Sequence, residues 1–308
     1  MPTLRSPGFG TGNVLLTIVG LVGISSSGPL MAAATAVPAL AMSLWRTGLG
    51  AVVVAAAAAY GHRDQLRTMQ RREWVRSGFA GLMLAGHFAA WTTSLKLTSV
   101  ASATALVCLQ VAWVVVLARL AGAQVRSGVW IGLTLAIGGV VVVSGVDGIA
   151  STQALVGDLL AVGGGFFAAI YLIVGGRVRE HTTTTAYTFV CYSTCAALLG
   201  IACLVGRVQV VFFDARSWTL IIAVTLAAQL LGHSVFNHLL AVISPTVVSM
   251  VVLLEVPGAA LLAAVFLGQA PPTAVYVGLA LICAGLATVV ALGSPESGQR
   301  PLTEAPID

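Results

Sequence analysis

A single carboxylate interrupts a long apolar stretch near the C-terminal end of the chain. Glu255 lies within SMVVLLEVPGAALL, residues 249–262, where nearly every neighbour is apolar. On insertion scales a charged side chain at the centre of a membrane helix costs about 2.5–3.5 kcal/mol, so this group should face protein or a cavity. Pro257 has no N–H to donate to the carbonyl of Leu253, which predicts a helix break beside the carboxyl group. Two interpretations stay open: Glu255 couples proton or cation movement to function, or it locks helices together, for example by pairing with Arg46.

Other apolar runs also carry isolated polar and aromatic residues. His87 and His233 are side chains that titrate near neutral pH. Trp91 and Asn237 follow them by one helical turn and should share their helix faces. The alternative is that the histidines only hydrogen-bond between helices. With Gln110 and two further aromatic residues, the predicted lining of a substrate cavity is His87, Trp91, Gln110, Trp113, Tyr171, His233 and Asn237.

Arg46, in SLWRTGLG, is a basic residue inside the second apolar run. It could pair with Glu255, extend its charged end to the outer membrane interface, or attract an anionic group of a substrate. The serine-rich GISSSGPL, residues 23–30, lacks the Gly-x-Ser-Gly spacing and the acidic partner of a hydrolase. We therefore expect close packing there, or a helix end opened near Pro29.

The patterns of most enzymes and metal sites are missing from the sequence. The five cysteines form no CxxC or Cys/His spacing, and all fall in apolar runs, as packing residues do. The glycine-rich GGGFFAA, residues 163–169, is apolar and shows no phosphate-binding or dinucleotide fingerprint. We therefore predict no catalytic residues, no metal, no cofactor and no enzymatic activity.

Composition indicates the elements that must position these side chains. Of 308 residues, 58% are hydrophobic and only 8% charged, and the mean hydropathy is +1.00, whereas a soluble domain has about 25% charged residues. A membrane-crossing helix needs about 20 mostly apolar residues. Ten segments qualify, namely 13–33, 38–60, 74–95, 99–121, 127–146, 155–177, 184–206, 217–239, 245–267 and 272–293.

The arginines and lysines predict the orientation of these segments, because cytoplasmic loops are enriched in them. The loop 61–76 alone holds five arginines, and placing it in the cytoplasm puts eleven of the 15 Arg and Lys residues there, against three outside. Both termini are then cytoplasmic, with tails at 1–12 and 294–308, the latter proline-rich and predicted to be disordered. The net charge of +5 therefore reports topology, and we predict no nucleic-acid partner.

The two halves of the chain resemble each other at an offset of 145–146 residues. GHFAAWTTSLKLTSVASATALVCLQ (86–110) matches GHSVFNHLLAVISPTVVSMVVLLE (232–255), and IGLTLAIGGVVVV (131–143) matches VGLALICAGLATVV (277–290). This predicts five-helix repeats at 13–146 and 157–293, joined by an external linker, 147–156. An odd number of spans inverts the second repeat, an arrangement typical of secondary transporters. The predicted fold is an all-α integral membrane protein with ten transmembrane helices as two inverted five-helix repeats.

These features resemble the EamA type of the drug/metabolite transporter superfamily. The resemblance covers residues 13–293 and is carried by the repeats, by LKLTSVASA before the fourth span, and by its echo VISPTVVSMVVLLE before the ninth. It implies export of small metabolites, often amino acids, driven by an ion gradient, with the third, fourth, eighth and ninth helices lining a central cavity. The family's Glu-Pro pair is interrupted here by Val256, and Gln110 is followed by Val111 rather than proline.

The sequence thus predicts a secondary active transporter of the cell membrane, working by alternating access on a small-molecule substrate in the lipid bilayer, with H+ as a candidate coupling ion. The alternative is a non-transporting membrane scaffold or an intramembrane enzyme. Substrate identity and oligomeric state have no signature in the sequence.

Overall fold

The computed structural model describes residues 11–61, 63–122, 124–148, 151–243, 245–268 and 272–293. The predicted tail 294–308 and most of the predicted tail 1–12 lie outside these ranges. The described residues form helices and contain no β-strand. In chain order the α-helices are α1 (Thr11–Ser25), α2 (Ser27–Ala33), α3 (Ala39–Gly61), α4 (Arg63–Thr68), α5 (Arg71–Ser94), α6 (Val100–Val107), α7 (Gln110–Leu120), α8 (Ser127–Gly148), α9 (Thr152–Arg179), α10 (Thr184–Val205), α11 (Ala215–Val224), α12 (Ser234–Leu239), α13 (Pro245–Val252), α14 (Glu255–Leu267) and α15 (Thr273–Gly293). A π-helix, Thr225–His233, joins α11 to α12.

Each of the ten predicted spans coincides with a helix or with consecutive helices in the described chain. Six of these units are long and apolar enough to cross a membrane: Thr11–Ala33, Ala39–Tyr60, Val100–Leu120, Thr152–Arg179, Thr184–Val205 and Ala215–Leu239. Shorter apolar stretches lie in α8, α14 and α15. The chain is therefore an all-helical, multi-pass membrane protein, and the number of ten crossings stays a prediction.

Two of the helical units are broken at equivalent places in the two halves. Cys108 and Leu109 separate α6 from α7, and Leu253 and Leu254 separate α13 from α14. At both breaks the backbone bonds tighten to the three-residue spacing of a 3₁₀ turn. These hydrogen bonds are Leu109 N–H to Leu106 O (3.1 Å), Val111 N–H to Cys108 O (3.2 Å), Leu254 N–H to Val251 O (3.0 Å) and Val256 N–H to Leu253 O (3.2 Å).

The two broken helices cross each other. Helix α6 packs against α14, and α7 packs against α13, so the first part of each unit lies beside the second part of the other. This pairing means that the units run antiparallel. The thiol of Cys108 donates to the carbonyl of Val252 at 3.7 Å, which joins the two helical units at their breaks. The crossing point is therefore fixed where both helices are interrupted.

The remaining helices pack around this crossing. Extensive contacts join α8 to α15, α5 to α9, α10 to α3, and α1 to the π-helix. The contact of α1 with the π-helix needs a glycine, because a methyl group built on Gly23 would lie 2.4 Å from the carbonyl oxygen of Ala227. The buried side chains of these helices form one large apolar cluster.

The π-helix distinguishes the eighth predicted span from its repeat mate α5, which is a regular α-helix. Its wider turn lets the Ser234 N–H bond back five residues to the carbonyl of Gln229. The same carbonyl accepts from the Ser234 hydroxyl at 3.1 Å and from the Tyr192 hydroxyl at 3.4 Å. Segments of π-helix inside α-helices are frequent at functional sites, and this one carries both Gln229 and His233.

Candidate functional site

A small cavity lies where the broken helices cross. Its volume is about 50 Å³, room for roughly one or two water molecules. Apolar residues from α1, α6, α9, α12 and α13 form much of the wall. The polar and aromatic residues that line it are Ser27, His87, Trp91, Gln110, Tyr171, His233 and Glu255. Five of the seven predicted cavity residues, and Glu255, thus meet at one place.

Glu255 and Gln110 occupy equivalent positions in this wall. Each is the first residue of the helix that follows a break, α14 and α7 respectively, and each is only 7% exposed. Among the described residues, no hydrogen bond or ion pair reaches the Glu255 carboxyl group. Pro257 is the third residue of α14, and the break lies just before this helix, where Val256 rather than residue 257 donates to Leu253 O. The cavity wall therefore has a carboxyl group at one of these twin positions and a neutral amide at the other.

The two histidines face each other across the cavity. Their ring centroids are 6.2 Å apart, and the His87 ring is stacked on Trp91 at 5.9 Å. The Nδ1 atom of His87 lies 3.1 Å from the carbonyl oxygen of Gly164 on α9. A carbonyl can only accept, so Nδ1 carries the hydrogen and Nε2 of the neutral ring is an acceptor. His87 thus presents a stacking surface and one hydrogen-bond acceptor.

Tyr171 and Asn237 form a hydrogen-bonded pair at the edge of the cavity. The Tyr171 hydroxyl donates to Asn237 Oδ1, and the Asn237 amide lies 3.4 Å from the Tyr192 hydroxyl. Asn237 is buried but does not line the cavity. The structure therefore places it behind Tyr171, where it orients that hydroxyl.

Trp113 lies apart from the other predicted cavity residues. Its ring packs edge-on against Phe166, with centroids 5.3 Å apart, and it is not part of the cavity wall. The spacing of three residues from Gln110 suggested a shared face. Both residues lie on α7, but three residues of an α-helix turn by about 300°, so Trp113 is displaced around the helix and packs against Phe166 of α9.

Arg46 is completely buried, with 0% of its surface exposed, so it does not extend to the interface. Its Nη1 donates to the Ser27 hydroxyl and its Nε to Gln229 Oε1, each at 3.0 Å. Its guanidinium carbon lies 4.3 Å above the Phe88 ring, in the range of a cation–π contact. The described residues show no hydrogen bond or ion pair between Arg46 and Glu255, which was one of the predicted arrangements.

Ser27 and Gln229 are functional candidates that the sequence did not single out. Ser27 begins α2, after Ser26 separates that helix from α1, and Pro29 is its third residue. The GISSSGPL motif had suggested such an opened helix end, which could have pointed to Ser27. Gln229 lies in the π-helix and had no comparable signal, because its repeat mate lies in a regular helix.

Taken together, the site can hydrogen-bond, stack against and exchange a proton with a small ligand. It offers one carboxyl group, two imidazoles, an amide, two hydroxyl groups and an indole around an otherwise apolar space. Within the described residues, no group of three His, Cys, Asp or Glu side chains could hold a metal ion. Such a mostly apolar pocket with a few convergent polar groups is typical of a small-molecule site.

Comparisons with known proteins agree with this architecture. A solved structure, described only as the crystal structure of a protein, is similar with a TM-score of 0.72 and 21% sequence identity. The alignment covers 92% of this chain and 97% of that one, which shows a shared fold. Among curated proteins no match was found. The sequence model of the EamA-like transporter family matches twice, over residues 11–145 and 155–291, close to the two predicted repeats. The chain therefore belongs to the EamA-like transporter family.

Proposed function

We propose that this protein is a secondary active transporter that exports small metabolites, such as amino acids, across the cell membrane by alternating access. The observation that carries the proposal is the cavity at the crossing of the two broken helices, which both repeats line with equivalent residues. Interrupted helices that meet near the middle of the membrane are the usual way in which transporters build a substrate site.

The helix contacts support an inverted relation between the repeats. The broken helices run antiparallel, as a two-fold axis in the membrane plane requires. The same axis would exchange the contact of α5 with α9 for the contact of the π-helix with α1, and both contacts are present. We infer ten crossings, with residues 147–156 outside and both termini in the cytoplasm, as the arginine distribution predicts.

A depression on the proposed cytoplasmic side is the entry that we propose for an exported substrate. A depression of about 900 Å³ lies between the ends of α7 and α9 and the segment 240–243 after α12. In the proposed orientation these elements face the cytoplasm. We propose that substrate enters here and that rearrangement of the repeats opens the other side.

Glu255 is the proposed coupling residue. Its carboxyl group can release and rebind a proton in contact with the cavity, whereas Gln110 at the equivalent position cannot. A substrate that competes with this proton would be exchanged for it, which gives antiport of H+ against metabolite. The alternative, a helix lock, requires a partner for this carboxyl group, and among the described residues none lies within hydrogen-bond or ion-pair distance.

Counterflow tests transport itself. The purified protein is reconstituted in liposomes loaded with each of the amino acids in turn, and uptake of the same radiolabelled compound is followed. We expect saturable, protein-dependent counterflow for at least one small amphipathic amino acid. A thermal unfolding transition first establishes that the purified protein is folded. Absence of counterflow for every compound of the panel would then favour the scaffold or enzyme alternative.

A further inference from the structure

Arg46 is a buried cation whose charge has no partner of opposite sign in contact. Its two hydrogen bonds go to neutral acceptors, the Ser27 hydroxyl and the Gln229 amide oxygen. Among the described residues no carboxylate lies within ion-pair distance of Arg46. Glu255 is close enough for a longer-range electrostatic attraction to the guanidinium group, but it is not in contact with it. A buried charge normally persists only when it is paired, so the surroundings of Arg46 are suited to an anion that the protein itself does not supply.

Two hydrogen-bond donors of this cluster are also unused within the described chain. The Nη2 atom of Arg46 and the Nε2 atom of Gln229 are both buried without a hydrogen-bond partner. The two side chains are joined by the bond from Arg46 Nε to Gln229 Oε1, so their free donors belong to one cluster. Buried donors are nearly always satisfied, and two in one cluster, beside a cation, point to an acceptor with at least two oxygens.

The cluster adjoins the central cavity on two sides. Ser27, which accepts from Arg46, is part of the cavity wall. Phe88, under the guanidinium, packs edge-on against His233 with centroids 5.1 Å apart, and His233 also lines the cavity. One hydroxyl group therefore separates the guanidinium from the space where a ligand would bind.

We propose that Arg46, with Gln229 and Ser27, binds the carboxylate of the transported compound. A guanidinium presents parallel N–H groups that match the two oxygens of a carboxylate. Arg46 Nη2 and Gln229 Nε2 supply two unused donors. The Ser27 hydroxyl, which accepts from Arg46, would turn toward the ligand together with the guanidinium group. The substrate is then a small organic acid or a zwitterion, and a neutral or purely cationic compound is a poor substrate. This inference rests on the proposed transport function and names its substrate class.

In a zwitterionic substrate the two charged groups would bind to opposite parts of the site. The carboxylate would bind at Arg46, and the ammonium group would approach Glu255, which lines the same cavity as Ser27. There the ammonium group replaces the proton of the carboxyl group. Arg46 and Glu255 together would then account for the exchange of a proton for a zwitterion.

Binding of a minimal anion tests the site without requiring transport. Acetate is the minimal carboxylate probe, and acetamide is its neutral counterpart. The midpoint of thermal unfolding of the purified full-length protein is measured against either compound at constant ionic strength in sodium chloride. We expect a saturable rise with acetate and none with acetamide. Acetate should bind at least about tenfold more weakly to Arg46→Gln than to the wild type. The control Arg119→Gln removes a charge from an exposed position on α7 and should bind acetate with the affinity of the wild type.

A second variant keeps the test decisive if Arg46→Gln fails to fold. Gln229→Glu places a tethered carboxylate beside Arg46, so this protein should unfold at a higher temperature without acetate and lose the response to acetate. An equal response of the wild type to acetate and acetamide, no response to either, or an undiminished response in both variants would overturn the proposal. Acetate binding without counterflow of any amino acid would retain the anion site and reject the transport function. Counterflow without acetate binding would do the reverse.

Discussion

The two broken helices at the centre of the molecule share a shape but differ in chemistry. Both are interrupted at residues 145 positions apart, both use the same three-residue backbone bonds, and both place a polar residue at the start of the second part. That residue is Gln110 in one and Glu255 in the other. The proline that follows Glu255, Pro257, corresponds to Ala112 in the first repeat. The comparison teaches that the break does not require a proline, and that only one copy carries an ionisable group at the first position after the break.

Packing by neighbouring helices accounts for the break in the helix that lacks the proline. A methyl group built on Gly165 of α9 would lie 2.6 Å from the carbonyl oxygen of Val107, the last residue of α6, and 3.2 Å from the nitrogen of Gln110. Helix α9 therefore lies against the backbone of the break itself. In the other repeat, Gly258 of α14 lies against Ser25 of α1, so there the closest approach is to a side chain.

A large effect on stability is expected from this difference. Gly165→Ala forces a methyl group against backbone atoms that cannot rotate away, and overpacking of this kind costs typically about 1–3 kcal/mol. Gly163→Ala on the same helix is the matched control, because nothing lies within 4 Å of the added group. The free energy of unfolding in mixed micelles measures both. Equal stability of the two variants would show that α9 does not hold the break in the first repeat.

A smaller effect is expected from proline exchange between the repeats. Pro257 lies in the first turn of α14, where a missing N–H costs little, so Pro257→Ala should change the free energy of unfolding by less than about 1 kcal/mol. Ala112→Pro at the equivalent place in α7 should also be tolerated, whereas Ala118→Pro further along that helix should cost about 3 kcal/mol or more. A cost of that size at Ala112 would mean that the two breaks are not equivalent.

The internal repeat made part of this site predictable from the sequence. Aligning the halves paired Gln110 with Glu255 and His87 with His233, and the structure places all four in one cavity wall. The apolar segments likewise marked where helices occur, because a membrane helix must be apolar over a fixed length. These features depend on the spacing of residues along the chain, and that spacing can be read directly from one sequence.

Features that depend on contacts between distant segments were not predictable. The break at Cys108 lacks a proline and depends on the approach of α9, and the π-helix at Thr225–His233 has a regular helix as its repeat mate. Gln229 was missed for the same reason, since only the packing of the π-helix against α3 brings it to Arg46. Trp113 was placed in the cavity because it lies three residues after Gln110, and spacing alone does not show that its ring packs against Phe166.

The central claim is that the carboxyl group at the crossing couples proton movement to transport, and moving that group between the twin positions tests it most directly. Uptake of a compound shown to undergo counterflow is measured in proteoliposomes with and without a pH gradient. The proteins compared are the wild type, Glu255→Gln, the double variant Glu255→Gln with Gln110→Glu, and Asp64→Asn, which changes an exposed carboxylate on α4. We predict that Glu255→Gln loses the gradient-driven component and keeps counterflow, that the double variant regains part of the gradient-driven component, and that Asp64→Asn behaves as the wild type. A Glu255→Gln protein whose uptake follows the pH gradient as the wild type does would contradict the account.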